Sequence, residues 1–167
     1  WRRRGVRLRC EGGGLGFDNL VDARNGGILD VEIVAVVSNN MEGGVRKIAR
    51  NRAIPFWHFP KPWDAEGYQR IMLETGAEWV TLSGWLKLVV GLDPRKTFNI
   101  HPALLSQLGG RFGGPGMYGH HVHEVVKQAL DAGEITESGF TMHFVTDEYD
   151  RGPAFAEVRT GSLPPWM

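Results

Sequence analysis

The sequence contains a single cysteine, Cys10, among its 167 residues. It therefore cannot form an intrachain disulfide or a cluster of thiolate metal ligands, and we expect a reducing, cytoplasmic compartment. The 19 basic and 19 acidic residues cancel, so net charge indicates neither a nucleic acid nor a membrane as partner. The apolar runs are too short to cross a bilayer. The arginine-rich start also lacks the apolar stretch that a signal peptide contains.

Glycine is abundant, with 23 residues, and it is concentrated at residues 12–16 and 109–119. We interpret both clusters as loops of a site. The first joins a predicted strand to a predicted helix, where free backbone N–H groups and the helix dipole favour an anion, usually a phosphate. It matches neither the dinucleotide-binding fingerprint nor the P-loop, which argues against a nicotinamide enzyme or an NTPase. A tight turn without a ligand is the alternative.

Short apolar segments alternate with amphipathic ones, which predicts an α/β fold with a doubly wound, mostly parallel sheet and helices on both faces. The run 31–37 is nearly continuous and β-branched, as a strand covered on both faces should be. The first strand instead alternates with arginine. We expect strands at residues 6–10, 31–37, 54–59, 78–82, 96–100, 140–145 and 154–158, and helices at 17–25, 44–52, 65–75 and 122–132. In the helix at 65–75, Ile71, Met72 and Leu73 are expected to lie partly inward.

The most informative segment is the end of the fifth strand, where Asn99 and His101 precede Pro102. Residues two apart on a strand point to the same side, and the proline fixes the chain direction after the imidazole. An asparagine amide can donate to a developing oxyanion, and histidine is the usual proton-transfer group near neutral pH. The alternative is a strand end whose polar groups merely cap a loop.

A carboxylate and several histidines complete the candidate site. Asp150 lies in a turn that ends in Gly-Pro and is either a charge partner for the imidazole or an ordinary acidic turn residue. His143 is either a core histidine or a group that supports the site. His121 and His123 are only two apart at a predicted helix start and no carboxylate completes a zinc motif, so we predict no metal. We place His123 with His143 around the site.

Three segments, in this order, resemble the formyltransferase family that uses 10-formyltetrahydrofolate. They are residues 82–88 (LSGWLKL), 99–105 (NIHPALL) and 139–153 (GFTMHFVTDEYDRGP), and the resemblance runs from residue 12 to residue 158. It implies a Rossmann-like formyltransferase fold over one domain, residues 1–167, and we expect this domain to lack the helical tail usual in the family. It also implies formyl transfer from 10-formyltetrahydrofolate, the co-substrate, to the amine of glycinamide ribonucleotide in purine biosynthesis, without a metal.

The resemblance also implies roles for individual residues. The catalytic group would be Asn99, His101 and Asp150. Residues that hold the substrate phosphate and ribonucleotide would be Gly13, Gly14, Leu15, Gly16, Ile100 and Pro102. Residues that hold the folate would be Leu86, Lys87, Leu88, Val89, Thr146, Asp147 and Glu148.

Three positions depart from the family pattern. Leu15 stands where a hydroxyl residue is common and Glu11 where a small residue is common, so we expect weaker phosphate contacts. Ser106 replaces the proline that follows the two leucines.

A formyltetrahydrofolate hydrolase and a degenerate, non-catalytic folate-binding module are the alternative functions. We expect small-molecule substrates only, with no nucleic acid or membrane partner, and a monomer or homodimer.

Overall fold

The structure is a computed structural model that describes residues 5–10 and 15–160. The chain divides into two compact units, with the boundary between Thr97 and Phe98. Each unit is built around its own set of strands and its own apolar cluster.

The first unit is a parallel α/β arrangement. Its strands lie in the order β3-β2-β1-β4, and every described neighbouring pair is parallel. β1 therefore lies between β2 and β4, although its alternation with arginine is not the pattern of a strand covered on both faces. Its elements are β1 (Gly5–Cys10), α1 (Leu15–Asn25), β2 (Glu32–Ser38), α2 (Gly44–Asn51), β3 (Phe56–His58), α3 (Ala65–Thr75) and β4 (Trp79–Ser83).

Helices α1 and α2 pack their apolar sides against β2. Phe17, Val21, Val36, Val45 and Ala49 are completely buried in this cluster, which is what the β-branched run of β2 requires for its covered face.

Helix α3 has a defined start and end. Asp64 accepts a hydrogen bond from the Gly67 N–H at 2.9 Å, a standard N-cap, and Gly76 ends the helix at φ +62°. Ile71 is buried as expected, whereas the expectation for Leu73 was wrong, because its side chain is 83% exposed.

The second unit is antiparallel. β6 (Ser138–Phe144) pairs antiparallel with both β5 (Thr97–His101) and β7 (Ala154–Thr160). The segment between β6 and β7 is short, which permits an antiparallel connection and no parallel crossover. A 3₁₀ turn (Gln107–Gly110) and helix α4 (His120–Asp131) lie between β5 and β6.

Helix α4 closes the apolar cluster of the second unit. Val122, Val126 and Ala129 recur on one face of the helix and pack with Ala103 and Phe112, the spacing of an amphipathic helix. The α/β prediction is confirmed, and parallel pairing holds for the first unit. None of the helices in the described part of the chain is long and apolar enough to span a membrane.

We expect Gly139→Ala to destabilise the fold. A Cβ on Gly139 would lie 2.0 Å from the Val158 carbonyl oxygen and 2.9 Å from a Leu104 methyl carbon, so β6 and β7 would have to move apart. The expected loss in the free energy of unfolding, measured by urea denaturation, is about 1–3 kcal/mol. Gly43→Ala is the control, since its nearest neighbouring atom would lie 3.4 Å away. Equal stability of Gly139→Ala and wild type would contradict this packing.

Candidate active site

The end of β5 carries two of the predicted site residues. Asn99 and His101 are two apart on this strand, and they pair across to His143 and Thr141 of β6. Because side chains of paired residues share a face, two histidines, an amide and a hydroxyl face the same side. His101 and His143 are 3% and 2% exposed, so this is a buried polar group and not a solvated strand end.

The Asp150 carboxylate joins these groups. Its Oδ1 lies 3.5 Å from His101 Nδ1 and 3.4 Å from His143 Nε2. Its Oδ2 accepts a hydrogen bond from the Gly114 N–H at 3.0 Å. The side chain is only 10% exposed. Asp150, His101, His143 and Asn99 therefore form one cluster, which we call the Asp150 cluster.

The turn around Asp150 is tightly constrained. Asp150 itself has φ +53°, a left-handed conformation that aspartate tolerates better than most residues. A Cβ on Gly152 would lie 1.7 Å from the Phe144 carbonyl oxygen, so only glycine fits there. The Phe144 N–H donates to the Pro153 carbonyl at 2.9 Å. The Gly-Pro turn thus directs the carboxylate inward.

The surroundings of Asp150 keep it ionised. Burial by itself would raise the pKa of the carboxyl, but hydrogen bonds from His101 and His143, the charge of His101 and the Gly114 N–H together hold this pKa well below its usual value. A carboxylate held in this way can stabilise a proton on a neighbouring imidazole.

His101 has both ring nitrogens engaged. Nε2 lies 2.6 Å from the Phe112 carbonyl oxygen, which only accepts, so Nε2 carries a proton. Nδ1 faces the Asp150 carboxylate and forms an ion pair with it when a second proton is bound. Nε2–H is therefore the N–H group that this ring donates.

His143 faces two competing partners. Its Nδ1 donates to the Phe144 carbonyl at 2.9 Å, so in the neutral ring Nε2 is an acceptor. In that state Nε2 accepts from the Asn99 amide at 3.3 Å. A proton on Nε2 would instead be donated to Asp150. The Asn99 amide has two N–H groups, and the contact with His143 engages one of them.

A cavity of about 520 Å³ lies beside the Asp150 cluster. Asp150 and Arg151 contribute to its wall, together with Ser106, Phe155 and Glu157. Phe155 is 48% exposed. The cavity therefore offers apolar and charged surface next to the buried carboxylate.

The phosphate loop predicted from the sequence lies mostly outside the described residues, as do Glu11, Gly13 and Gly14. Leu15 is the first residue of α1, and Gly16 follows it in the first turn. Ile100 and Pro102 flank His101 at the end of β5.

The segments predicted to hold folate are distributed over both units. In the first, Leu86 to Val89 follow β4, and the Leu88 carbonyl accepts from the Tyr68 hydroxyl at 2.8 Å. Lys87 Nζ lies 4.8 Å from the centre of the Trp63 ring, a cation–π contact. In the second unit, Thr146, Asp147 and Glu148 lie in the loop between β6 and β7, where the Glu148 N–H donates to Thr146 Oγ1 at 3.5 Å.

The three histidines of the first turn of α4 do not form a metal site with their neighbours. Among the residues that the structure describes, no group of three His, Cys, Asp or Glu side chains is arranged to hold a metal ion. His121 lies 3.8 Å from Glu124. His123 Nδ1 is buried and has no hydrogen-bond partner in the described structure. Burial and the charges of His120 and His101 lower the pKa of His123.

Sequence reasoning did not identify the backbone groups that complete the cluster. The Phe112 carbonyl and the Gly114 N–H both come from the glycine cluster at residues 109–119. That cluster was interpreted as a site loop, and this interpretation agrees with its two contacts to His101 and Asp150. The amino-acid sequence alone does not indicate which backbone N–H or carbonyl group would contact His101 or Asp150.

Comparison with known proteins identifies the family. A family model described as "Formyl transferase" matches residues 8–161 of the chain. The chain belongs to the formyl transferase family. The matched region contains all four residues of the Asp150 cluster and extends over both units.

Individual relatives support this assignment. A chloroplastic phosphoribosylglycinamide formyltransferase of Arabidopsis thaliana is 35% identical over 167 residues, covering 93% of this chain and 54% of the relative. The crystal structure of glycinamide ribonucleotide transformylase 1 from Geobacillus kaustophilus superimposes with a TM-score of 0.75 at 25% identity, covering 98% of this chain and 86% of that one. A mitochondrial formyltetrahydrofolate deformylase 2 of Arabidopsis thaliana is 29% identical, covering 79% of this chain and 39% of the relative. The chain spans about half the length of the plant transferase.

We expect the Asp150 carboxylate to stabilise the fold less at acid pH. Its folded-state pKa lies below that of an unfolded aspartate, about 4, so its contribution is complete above that value and decreases as the pH falls towards the folded-state pKa. Asp150→Asn removes the charge and keeps the shape. The difference in unfolding free energy between wild type and Asp150→Asn, from denaturant titrations, should be larger at pH 5 than at pH 3. An equal or larger difference at pH 3 would contradict the assigned direction.

Proposed function

We propose that this chain transfers a formyl group from 10-formyltetrahydrofolate to the amine of glycinamide ribonucleotide. The observation that carries the proposal is the convergence of His101 and His143 on the buried Asp150 carboxylate, with the Asn99 amide on His143. Such a cluster supplies an amide donor, a proton on an imidazole and a fixed negative charge. Formyl transfer between two amines needs these three, because a negative oxygen develops and a proton moves.

In the proposed reaction the substrate amine attacks the formyl carbon, and a C–N bond forms while the carbonyl oxygen becomes an oxyanion. Asn99 and protonated His101 donate to this oxygen. For this, the His101 Nε2–H exchanges its hydrogen bond to the neutral Phe112 carbonyl for a hydrogen bond to the charged oxyanion. Hydrogen bonds to charged groups are roughly twice as strong as those between neutral groups. The bond to folate N10 then breaks. One proton leaves the attacking amine and one reaches N10, so the protons balance.

His143 and Asp150 support this step without contacting the reacting atoms. Asp150 holds the positive charge on His101. The contact with His143 engages one N–H of the Asn99 amide, and the second N–H is the donor to the oxyanion. The remaining site assignments, to phosphate and folate, rest on the sequence resemblance and stay part of this proposal.

The direct experiment incubates the protein with 10-formyltetrahydrofolate, with and without glycinamide ribonucleotide, and measures the loss of the formyl donor. Turnover that depends on the amine supports the transferase. Turnover with water alone supports a hydrolase, a candidate that the similarity to the plant deformylase favours. Folate binding without turnover supports a binding module. Either of the last two results contradicts the proposal.

We expect His101→Ala to abolish formyl transfer and to leave folate binding largely unchanged. The ring supplies a proton to the oxyanion, a contribution of about 10²–10⁴ in rate, whereas the folate is proposed to bind through other residues. The check is kcat for transfer together with the dissociation constant of a folate analogue. His121→Ala, an exposed histidine, is the matched control. Retained activity in His101→Ala would contradict the mechanism.

We expect Leu15→Ser and Glu11→Ser to lower the KM for glycinamide ribonucleotide. A serine hydroxyl can donate to a phosphate oxygen where leucine cannot, and the removal of Glu11 eliminates repulsion between two anions. Steady-state KM for the ribonucleotide, with the folate held saturating, is the measurement. An unchanged KM in both variants would show that the phosphate binds elsewhere.

We further propose that residues 1–167 form a single formyltransferase domain, a view supported by the continuous family match over residues 8–161. A monomer or homodimer and a cytoplasmic location complete the proposal. The compartment rests on the single cysteine, Cys10, and some relatives are chloroplastic or mitochondrial by name.

A further inference from the structure

The segment that follows the proposed catalytic histidine has little regular structure. Residues 102–106 belong to neither a helix nor a strand, so their backbone polar groups need other partners. Two side chains of the neighbouring strands supply these partners, Thr141 of β6 and Glu157 of β7.

Thr141 holds the middle of the segment. Its hydroxyl accepts from the Leu105 N–H at 3.0 Å and lies 2.8 Å from the Ala103 carbonyl oxygen. Thr141 is completely buried. Since a buried hydroxyl or carbonyl without a partner costs about 1–3 kcal/mol, these contacts constrain the segment strongly.

Glu157 holds the end of the segment. One carboxylate oxygen accepts from the Ser106 N–H at 3.1 Å and the other accepts from the Ser106 hydroxyl at 2.7 Å. The first oxygen also lies 3.0 Å from the Thr141 hydroxyl. That hydroxyl has one proton, which Ala103 and Glu157 share as acceptors.

These residues are aligned across the sheet of the second unit. His101 pairs with Thr141, and Thr141 pairs with Glu157. We call His101, Thr141 and Glu157 the cross-strand row. Its three side chains lie on one face because directly paired residues do. Burial alone would raise the pKa of the Glu157 carboxyl, but hydrogen bonds from Ser106 and Thr141 and the charge of Arg159 lower it, so the carboxylate accepts rather than donates.

We propose that Glu157 is a positioning residue for formyl transfer, which acts through Thr141 and Ser106 to hold the chain that carries His101. The inference rests on the proposed function. Glu157 contacts neither His101 nor Asp150 directly, and it shares with Asp150 the wall of the same cavity. It fixes the end of residues 102–106, the segment that directly follows His101. A displacement of about 1 Å in a positioned group can reduce a rate a hundredfold.

The test compares Glu157→Gln and Thr141→Val with two controls. Glu157→Gln keeps the shape of the side chain. Its amide has only one oxygen atom, so the variant cannot accept both hydrogen bonds from Ser106 as the carboxylate does. Thr141→Ser keeps the hydroxyl. Glu137→Gln removes a carboxylate that pairs with Arg159. Glu157 is half-buried, so Glu157→Gln should fold even where Thr141→Val does not.

We expect kcat to fall about tenfold or more in Glu157→Gln and Thr141→Val, with KM for both substrates within about twofold of wild type. Thr141→Ser and Glu137→Gln should retain kcat. The double variant should lose little more than the single variants, because the two side chains act on one segment. Unchanged kcat in Glu157→Gln, an equal fall in Glu137→Gln, or a rise in KM at constant kcat would each overturn the proposal.

A measurement without turnover separates this proposal from the proposed function. The ¹⁵N chemical shifts of the His101 ring should change in Glu157→Gln and stay at their wild-type values in Glu137→Gln. If wild type shows no formyl transfer, the proposed function fails, and the ring shifts still decide whether Glu157 positions His101. Wild-type shifts in Glu157→Gln overturn the positioning role.

Discussion

A carboxylate removed from water must be paired, and this requirement determines how the second unit is arranged. An isolated buried charge costs several kcal/mol, and Asp150 offsets that cost with two imidazoles and a backbone N–H. These partners come from β5, β6 and the glycine-rich segment before α4. Ionisation of Asp150 thus depends on three separate parts of the chain being correctly placed.

The same pairing holds in place the groups on which the proposed formyl transfer depends. His101 and His143 share one carboxylate oxygen, and each ring donates its other N–H to a backbone carbonyl. Neither ring is free to rotate without breaking a hydrogen bond. His143 Nε2 also contacts the Asn99 amide, so the amide is tied to the same cluster through one of its two N–H groups.

Much of the fold was predictable from local pattern. The β-branched run of β2 and the Gly-Pro turn after Asp150 each carry a physical signal that can be read from the sequence. Leu73 was misassigned because helical periodicity alone does not say where a helix face meets solvent. Asn99, His101 and Asp150 were candidates because of their place at a strand end and in a Gly-Pro turn, and the resemblance to the family implied their roles.

The contacts that complete the site were not predictable in the same way. Phe112 and Gly114 act through backbone atoms, whose direction depends on a loop that contains five glycines between residues 109 and 116. Thr141 and Glu157 become partners of the segment after His101 only through the register of β5, β6 and β7. Register is set by long-range pairing, and a shift of one residue would turn both side chains to the other face.

The central claim is that the ionised Asp150 carboxylate makes this cluster a formyl-transfer centre. The most direct measurement is the single-turnover rate at which ¹³C-labelled formyl passes from 10-formyltetrahydrofolate to glycinamide ribonucleotide, in wild type and in Asp150→Asn. The account predicts labelled product with wild type and a rate at least about a hundredfold lower in the variant, with both substrates still bound. Equal rates in the two proteins would contradict it.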